Sequence, residues 1–135
     1  MAKLKLLLPN KEEVLTIWDN CFVINKEQLP KQSGVYILSV GKLFLYIGSS
    51  SNIKNRLSKL ANHPIRELAR LELKPKNKSV SEYVAEELNL QAYWKVFKSG
   101  EVRERYQFEW QMIKHFEPVI NKSQLLWTSG LRLAK

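Results

Sequence analysis

A single cysteine, Cys21, stands among 135 residues, so the chain can form no internal disulfide and no cysteine-built zinc site. Its bland reading is that of a small buried hydrophobe. Acidic residues are also short, 13 Asp plus Glu against 22 Lys plus Arg, for a formal charge of +9. That excess points to a polyanionic partner, nucleic acid first, because phosphate neutralisation by Lys and Arg dominates such affinity. No apolar stretch approaches the length that spans a bilayer. The short apolar run near the N-terminus stops at Pro9-Asn10, too early for a signal peptide, so a cytoplasmic or other intracellular protein is expected. Low-complexity linkers and internal repeats are missing as well, and 44% apolar with 26% charged residues describes a globular chain. One domain over residues 1–135 is expected, burying about two-thirds of the surface its unfolded chain exposes.

What is present is strand and helix signal in alternation. Pro9-Asn10 precedes a short capped helix from Lys11 to Asp19, with Val14, Leu15 and Trp18 facing inward. Residues 25–33 are polar and read as a loop. Gly34 to Val40 and Leu43 to Gly48 are rich in Val, Ile, Leu, Phe and Tyr around Gly41-Lys42, which predicts a β-hairpin. A three-residue loop, Val40 to Lys42, sets Tyr36 directly opposite Tyr46 and is the expected register. A two-residue loop sets Tyr36 against Ile47 and sends the tyrosines to opposite faces. Ser51 or Asn52 can cap a helix through His63, and Pro64 suits the first turn of another through Leu73. Lys74 to Lys78 is a basic loop, and Ser79 with Glu82 is a capping box opening a further helix. Leu90 to Lys98 is the third expected strand, and a helix runs from Ser99 to Phe116, stopped by Pro118. Trp127 in the tail, residues 122–135, suggests docking.

Two segments carry the most specific pattern: Tyr46-Ile47-Gly48 continuing to Arg56-Leu57, and Glu109 continuing to Asn121. With Gly34-Val35-Tyr36 they resemble the GIY-YIG nuclease family, in which an Arg follows the second motif on a helix and a Glu and an Asn come later. The resemblance covers residues 34–121, with 1–33 an N-terminal helix and loop. It implies an α+β fold, a small three-stranded antiparallel or mixed sheet with its N-terminal hairpin, flanked by helices. It also implies a divalent-metal-dependent endonuclease using Mg²⁺ or Mn²⁺, with DNA as partner and a possible homodimer on a palindromic site.

By the same resemblance Tyr36, Tyr46, Arg56, Glu109 and Asn121 are the catalytic candidates, with Glu109 the metal-binding carboxylate. Helical periodicity supplies an independent argument for Glu109. At about 100° per residue, Val102, Tyr106, Ile113 and Phe116 form one stripe with Glu109 in its middle, and a carboxylate facing a core calls for a partner or a cation. Arg56 lies on the shoulder of the stripe Ile53, Leu57 and Leu60, where a guanidinium can grip a phosphate with two parallel hydrogen bonds. His63 returns to the side of Arg56 two turns along and is a further candidate. Gly48, Ser49, Lys54, Lys59, Lys74, Lys76 and Lys78 are candidate DNA contacts. Repair incision proteins of the family place a Lys after the second motif, whereas this chain has Ser49, which favours a homing or restriction-like type. The competing reading is a non-catalytic nucleic-acid-binding module with the same fold.

Overall fold

The computed structural model describes residues 8–59, 65 and 89–121. Helix α1 (Lys11–Ile17) starts where Asn10 Oδ1 accepts the Glu13 N–H at 2.8 Å, and it buries Val14. Strand β1 (Asp19–Phe22) follows, then a single 3₁₀ turn at Lys26–Gln28 within the expected loop. Strands β2 (Gly34–Val40) and β3 (Leu43–Ser50) form the hairpin, and helix α2 (Ile53–Ser58) follows directly. Strand β4 (Gln91–Val96) and helix α3 (Val102–Phe116) complete the described elements. The sheet has four strands in the order β1-β4-β2-β3, every neighbouring pair antiparallel.

The α+β class is therefore as expected, with one strand more than the three anticipated. Strand β1 escapes sequence pattern because only Cys21 of its four residues is buried. Asp19, Asn20 and Phe22 face solvent on an edge strand, where apolar alternation is not required. Burial pushes the Cys21 thiol up to about 11, with Glu27 adding to the rise, so it is a packed hydrophobe and no nucleophile.

Side-chain alternation divides the core into two layers. Tyr36, Leu38, Leu45, Ile53, Leu57 and Ala92 pack on the α2 side of the sheet. On the other side Val35, Ile37, Phe44, Ile47 and Tyr93 meet Val14 of α1 and Phe108 and Met112 of α3. Trp18 stacks on Phe108 with centroids 6.2 Å apart, and Phe116 meets Phe44 edge-on at 5.1 Å.

The hairpin register departs from both alternatives. Val40 pairs with Leu43, so the loop is the two residues Gly41-Lys42, with Gly41 at φ +59. Between Leu38 and Ser39 the register then shifts: Ser39 faces Phe44 while Leu38 faces Tyr46, leaving Leu45 as the extra residue of a β-bulge. Tyr36 accordingly sits opposite Gly48, not Tyr46 or Ile47.

Two further expectations change. The helix after Asn52 ends at Ser58, because Lys59 leaves helical geometry and its N–H closes a tight turn on the Arg56 carbonyl. On α3 the buried face is Arg105, Phe108 and Met112, whereas Val102 and Tyr106 are exposed. The apolar stripe was misplaced because the sheet takes Phe108 and Met112 and leaves two large apolar residues outside. His63, the helices from Pro64 and Ser79, Lys74, Lys76, Lys78 and the tail with Trp127 lie outside the described residues. Among the described residues no helix is long and apolar enough to cross a membrane.

Gly34, opposite both Ser50 and Val96, sits where neighbouring backbone leaves no room. A Cβ there would collide with the Lys95 carbonyl oxygen and reach 2.9 Å from Ile53 Cδ1. Gly34→Ala is expected to destabilise the fold by about 2 kcal/mol or more, since backbone cannot yield as a side chain does. Urea unfolding monitored by circular dichroism checks this through a lowered midpoint at unchanged slope.

Candidate active site

The site forms at the free edge of β3. Because the bulge re-phases alternation, Tyr46 turns to the same face as Tyr36, and their ring centroids lie 6.3 Å apart at an interplanar angle of 38°. Gly48 is the bare position between them. A Cβ added at Gly48 would stand 2.6 Å from Tyr36 Oη, 2.8 Å from Tyr36 Cζ and 2.8 Å from Tyr46 Cε2. The absence of a Cβ at Gly48 thus lets the two phenol rings lie across the strand.

Arg56 comes from the last turn of α2, which is held under the hairpin by buried Ile53 and Leu57. Asn52 Oδ1 caps that helix by accepting the Asn55 N–H at 3.0 Å. The Arg56 guanidinium donates a hydrogen bond to the Tyr36 phenol oxygen. Across the edge, α3 brings up Glu109, half-buried, and Ser49 Oγ on β3 donates to its Oε1 at 2.6 Å. The charges of Arg56 and Glu109 both bear on Tyr36 and Tyr46, which places the four groups in one electrostatic neighbourhood.

Asn121 closes the arrangement from outside. Helix α3 ends at Glu117 in the left-handed region, φ +47, and buried Pro118 turns the chain into a helical segment at residues 119–121. From there the Asn121 side chain accepts the Ile47 N–H at 2.8 Å and donates to the Ile47 carbonyl at 2.9 Å. One primary amide thus satisfies both outward backbone groups of the residue between Tyr46 and Gly48.

Burial dominates the titration of the acids. Tyr36, 1% exposed, is raised well above the ordinary tyrosine range, first by desolvation and then by Tyr46, with Arg56 opposing through charge and hydrogen bond. Tyr46 is raised by desolvation and by Glu109, again opposed by Arg56. Glu109 is raised by desolvation, against the Ser49 hydrogen bond and the charge of Arg105.

Sequence reasoning missed Arg105 and the hydrogen bond that Ser49 gives Glu109. Arg105 is 6% exposed, one turn before Glu109, and packs its guanidinium over the Tyr106 ring at 5.0 Å with Nε unpartnered. Its spacing of four residues from Glu109 is the signal that could have found it. Ser49, expected as a DNA contact, faces the carboxylate. Lys54 on α2 is half-buried, and Lys59, just past its end, is exposed. His115 is exposed and rests on Phe116 at 4.7 Å.

Among the described residues the chain presents a four-stranded antiparallel sheet carrying two phenols on one face, an arginine beside them and the carboxylate of Glu109 at its edge. The family model described as the GIY-YIG catalytic domain matches residues 32–124, and the protein belongs to that family of nucleases. Solved structures of the GIY-YIG N-terminal endonuclease domain of UvrC from Thermotoga maritima are similar to it. The magnesium-bound form is 25% identical at a TM-score of 0.45, covering 68% of this chain and 85% of that one. Two point mutants of the same domain, each bound to its catalytic divalent cation, stand at 24% and 23% identity, both with a TM-score of 0.44. They cover 68% of this chain and 84% and 85% of their own. No curated protein matches.

Among the described residues no three His, Cys, Asp or Glu converge on one point, and Glu109 is the carboxylate that the described residues bring to the site. That donor set fits a hard cation such as Mg²⁺, which takes oxygen ligands and retains most of its waters, and does not suit zinc.

Two outcomes follow from this geometry. Gly48→Ala should lower stability by about 1–3 kcal/mol and displace both tyrosine rings, visible as a changed near-ultraviolet circular dichroism spectrum. Tyr36 makes the fold alkali-sensitive. Its folded-state pKa is raised, so its contribution is complete below the unfolded value of about 10 and is lost as pH rises beyond it. The melting temperature of Tyr36→Phe should therefore fall less steeply above about pH 10 than that of the wild type.

Proposed function

We infer that this protein is a divalent-metal-dependent endonuclease that hydrolyses DNA phosphodiester bonds by a one-metal mechanism. The observation that carries this reading is the convergence of Tyr36, Tyr46 and Arg56 with the half-buried, Ser49-bonded carboxylate of Glu109. The charge of +9 supplies attraction for a polyanion over the whole surface.

Glu109 would hold Mg²⁺ or Mn²⁺, and the bound cation supplies Lewis-acid stabilisation of charge on the phosphate and the departing oxygen. The remaining work falls to the chain. Arg56 binds the non-bridging phosphate oxygens and stabilises the charge that grows on them as water attacks phosphorus. Tyr46 orients the water or the phosphate. Tyr36 takes the water's proton as a P–O ester bond breaks, with Arg56 beside it stabilising the phenolate. Gly48 and Asn121 keep both rings and the Ile47 backbone in place. Lys54 and Lys59 supply non-specific phosphate contacts, as do Lys74, Lys76 and Lys78, which with the candidate His63 lie outside the described residues.

The test is nicking of supercoiled plasmid. Glu109→Ala should abolish cutting in Mg²⁺ or Mn²⁺ while leaving DNA retention in a gel largely intact; full activity in that variant removes the assignment. Because burial keeps Tyr36 protonated in the free protein, the single-turnover rate should climb about tenfold per pH unit from about pH 7 to about pH 9. A plateau near neutrality would exclude Tyr36 as the base.

A further inference from the structure

Ser49 stands where its hydroxyl meets the carboxylate of Glu109, and its backbone is fixed in the sheet opposite Val35. One rotatable bond separates that backbone from Oγ, so the donor loses little freedom in holding its place. Its partner, Glu109, is anchored from the other side. The neighbouring residue Phe108 is buried in the core, and Arg105, one turn earlier, is buried as well. Among the described residues the 2.6 Å contact from Ser49 Oγ to Oε1 is the hydrogen bond this carboxylate makes. The carboxylate is therefore asymmetric before any ligand arrives, one oxygen engaged by a protein hydroxyl and the other without such a bond.

Resting on the metal-dependent reading of Glu109, we propose that Ser49 is a positioning residue that restricts Glu109 to binding a cation through a single oxygen, and so sets the site's preference for Mg²⁺ over Ca²⁺. The argument is one of coordination chemistry. Mg²⁺ demands near-octahedral geometry and accepts one carboxylate oxygen with waters filling the remaining positions. Ca²⁺ takes six to eight oxygens and gains from chelation by both oxygens of a carboxylate. Chelation through both oxygens would draw Oε1 toward the cation and its electron density onto the metal, weakening Oε1 as the acceptor of the Ser49 hydroxyl in a half-buried place. Monodentate binding leaves that hydrogen bond intact. The hydroxyl thus penalises the larger ion's preferred mode and spares the smaller ion's.

The measurement is cation binding to the full chain without DNA. Mn²⁺ binding is followed by electron paramagnetic resonance, with Mg²⁺ and Ca²⁺ as competitors, and circular dichroism confirms that each variant is folded. Ser49→Ala should shift the Ca²⁺-to-Mg²⁺ affinity ratio toward Ca²⁺ by about tenfold, the scale of one hydrogen bond to a charged group. Ser49→Thr, which keeps the hydroxyl, should restore the wild-type ratio. An unchanged ratio in a folded Ser49→Ala variant overturns the proposal while leaving the nuclease reading standing. If wild-type protein binds no divalent cation, or Glu109→Gln binds as the wild type does, both fall together.

Discussion

Strict alternation of side chains along a strand is the constraint on which this site depends. The two-residue loop Gly41-Lys42, continued in regular register, would put Tyr46 on the α3 side of the sheet and Tyr36 on the α2 side. Leu45 breaks that phase. As the extra residue of the bulge it lets Phe44 face α3 and Tyr46 face α2 within three positions, and Leu45 itself packs into the α2-side core. Everything else in the site follows from having both phenols on one face: the need for a bare Gly48 between them, the reach of Arg56 from α2, and the approach of Glu109 around the edge.

Local spacing made much of this legible. The hairpin, the capped helix carrying Arg56 and the long helix carrying Glu109 each depend on periodicity and turn residues within a short window. The sharing of one face by Tyr36 and Tyr46 was also anticipated, though by a register the protein does not use. A bulge inserts a residue without leaving a compositional mark, so Leu45 reads as an ordinary strand residue. Strand β1 was invisible because an edge strand with one buried side chain needs no hydrophobic pattern. On α3, periodicity identified an apolar stripe but could not say which stripe meets the sheet. Val102 and Tyr106 are as apolar as Phe108 and Met112, and only tertiary packing separates them. The same ambiguity hid Arg105, a charged residue on the face that turned out to be buried.

The electrostatics of the free protein have a consistent direction. Desolvation raises Tyr36, Tyr46 and Glu109 together, and the positive charges of Arg56 and Arg105 offset only part of that rise. In the free protein, nearby positive charge thus falls short of offsetting burial at all three groups. A cation beside Glu109 would oppose that rise, whereas displacement of water by a ligand would add to it.

Asn121 has a consequence beyond the reaction. Among the described residues β3 is an outer strand of the sheet, and the backbone groups along such a border are templates onto which a foreign strand can be added. By filling both backbone positions of Ile47, the Asn121 amide stands in for one residue of a fifth strand and interrupts the ladder in its middle. A strand laid along this border would first have to expel a buried amide from its place beside the tyrosines. The residue that steadies the site also keeps the sheet from growing.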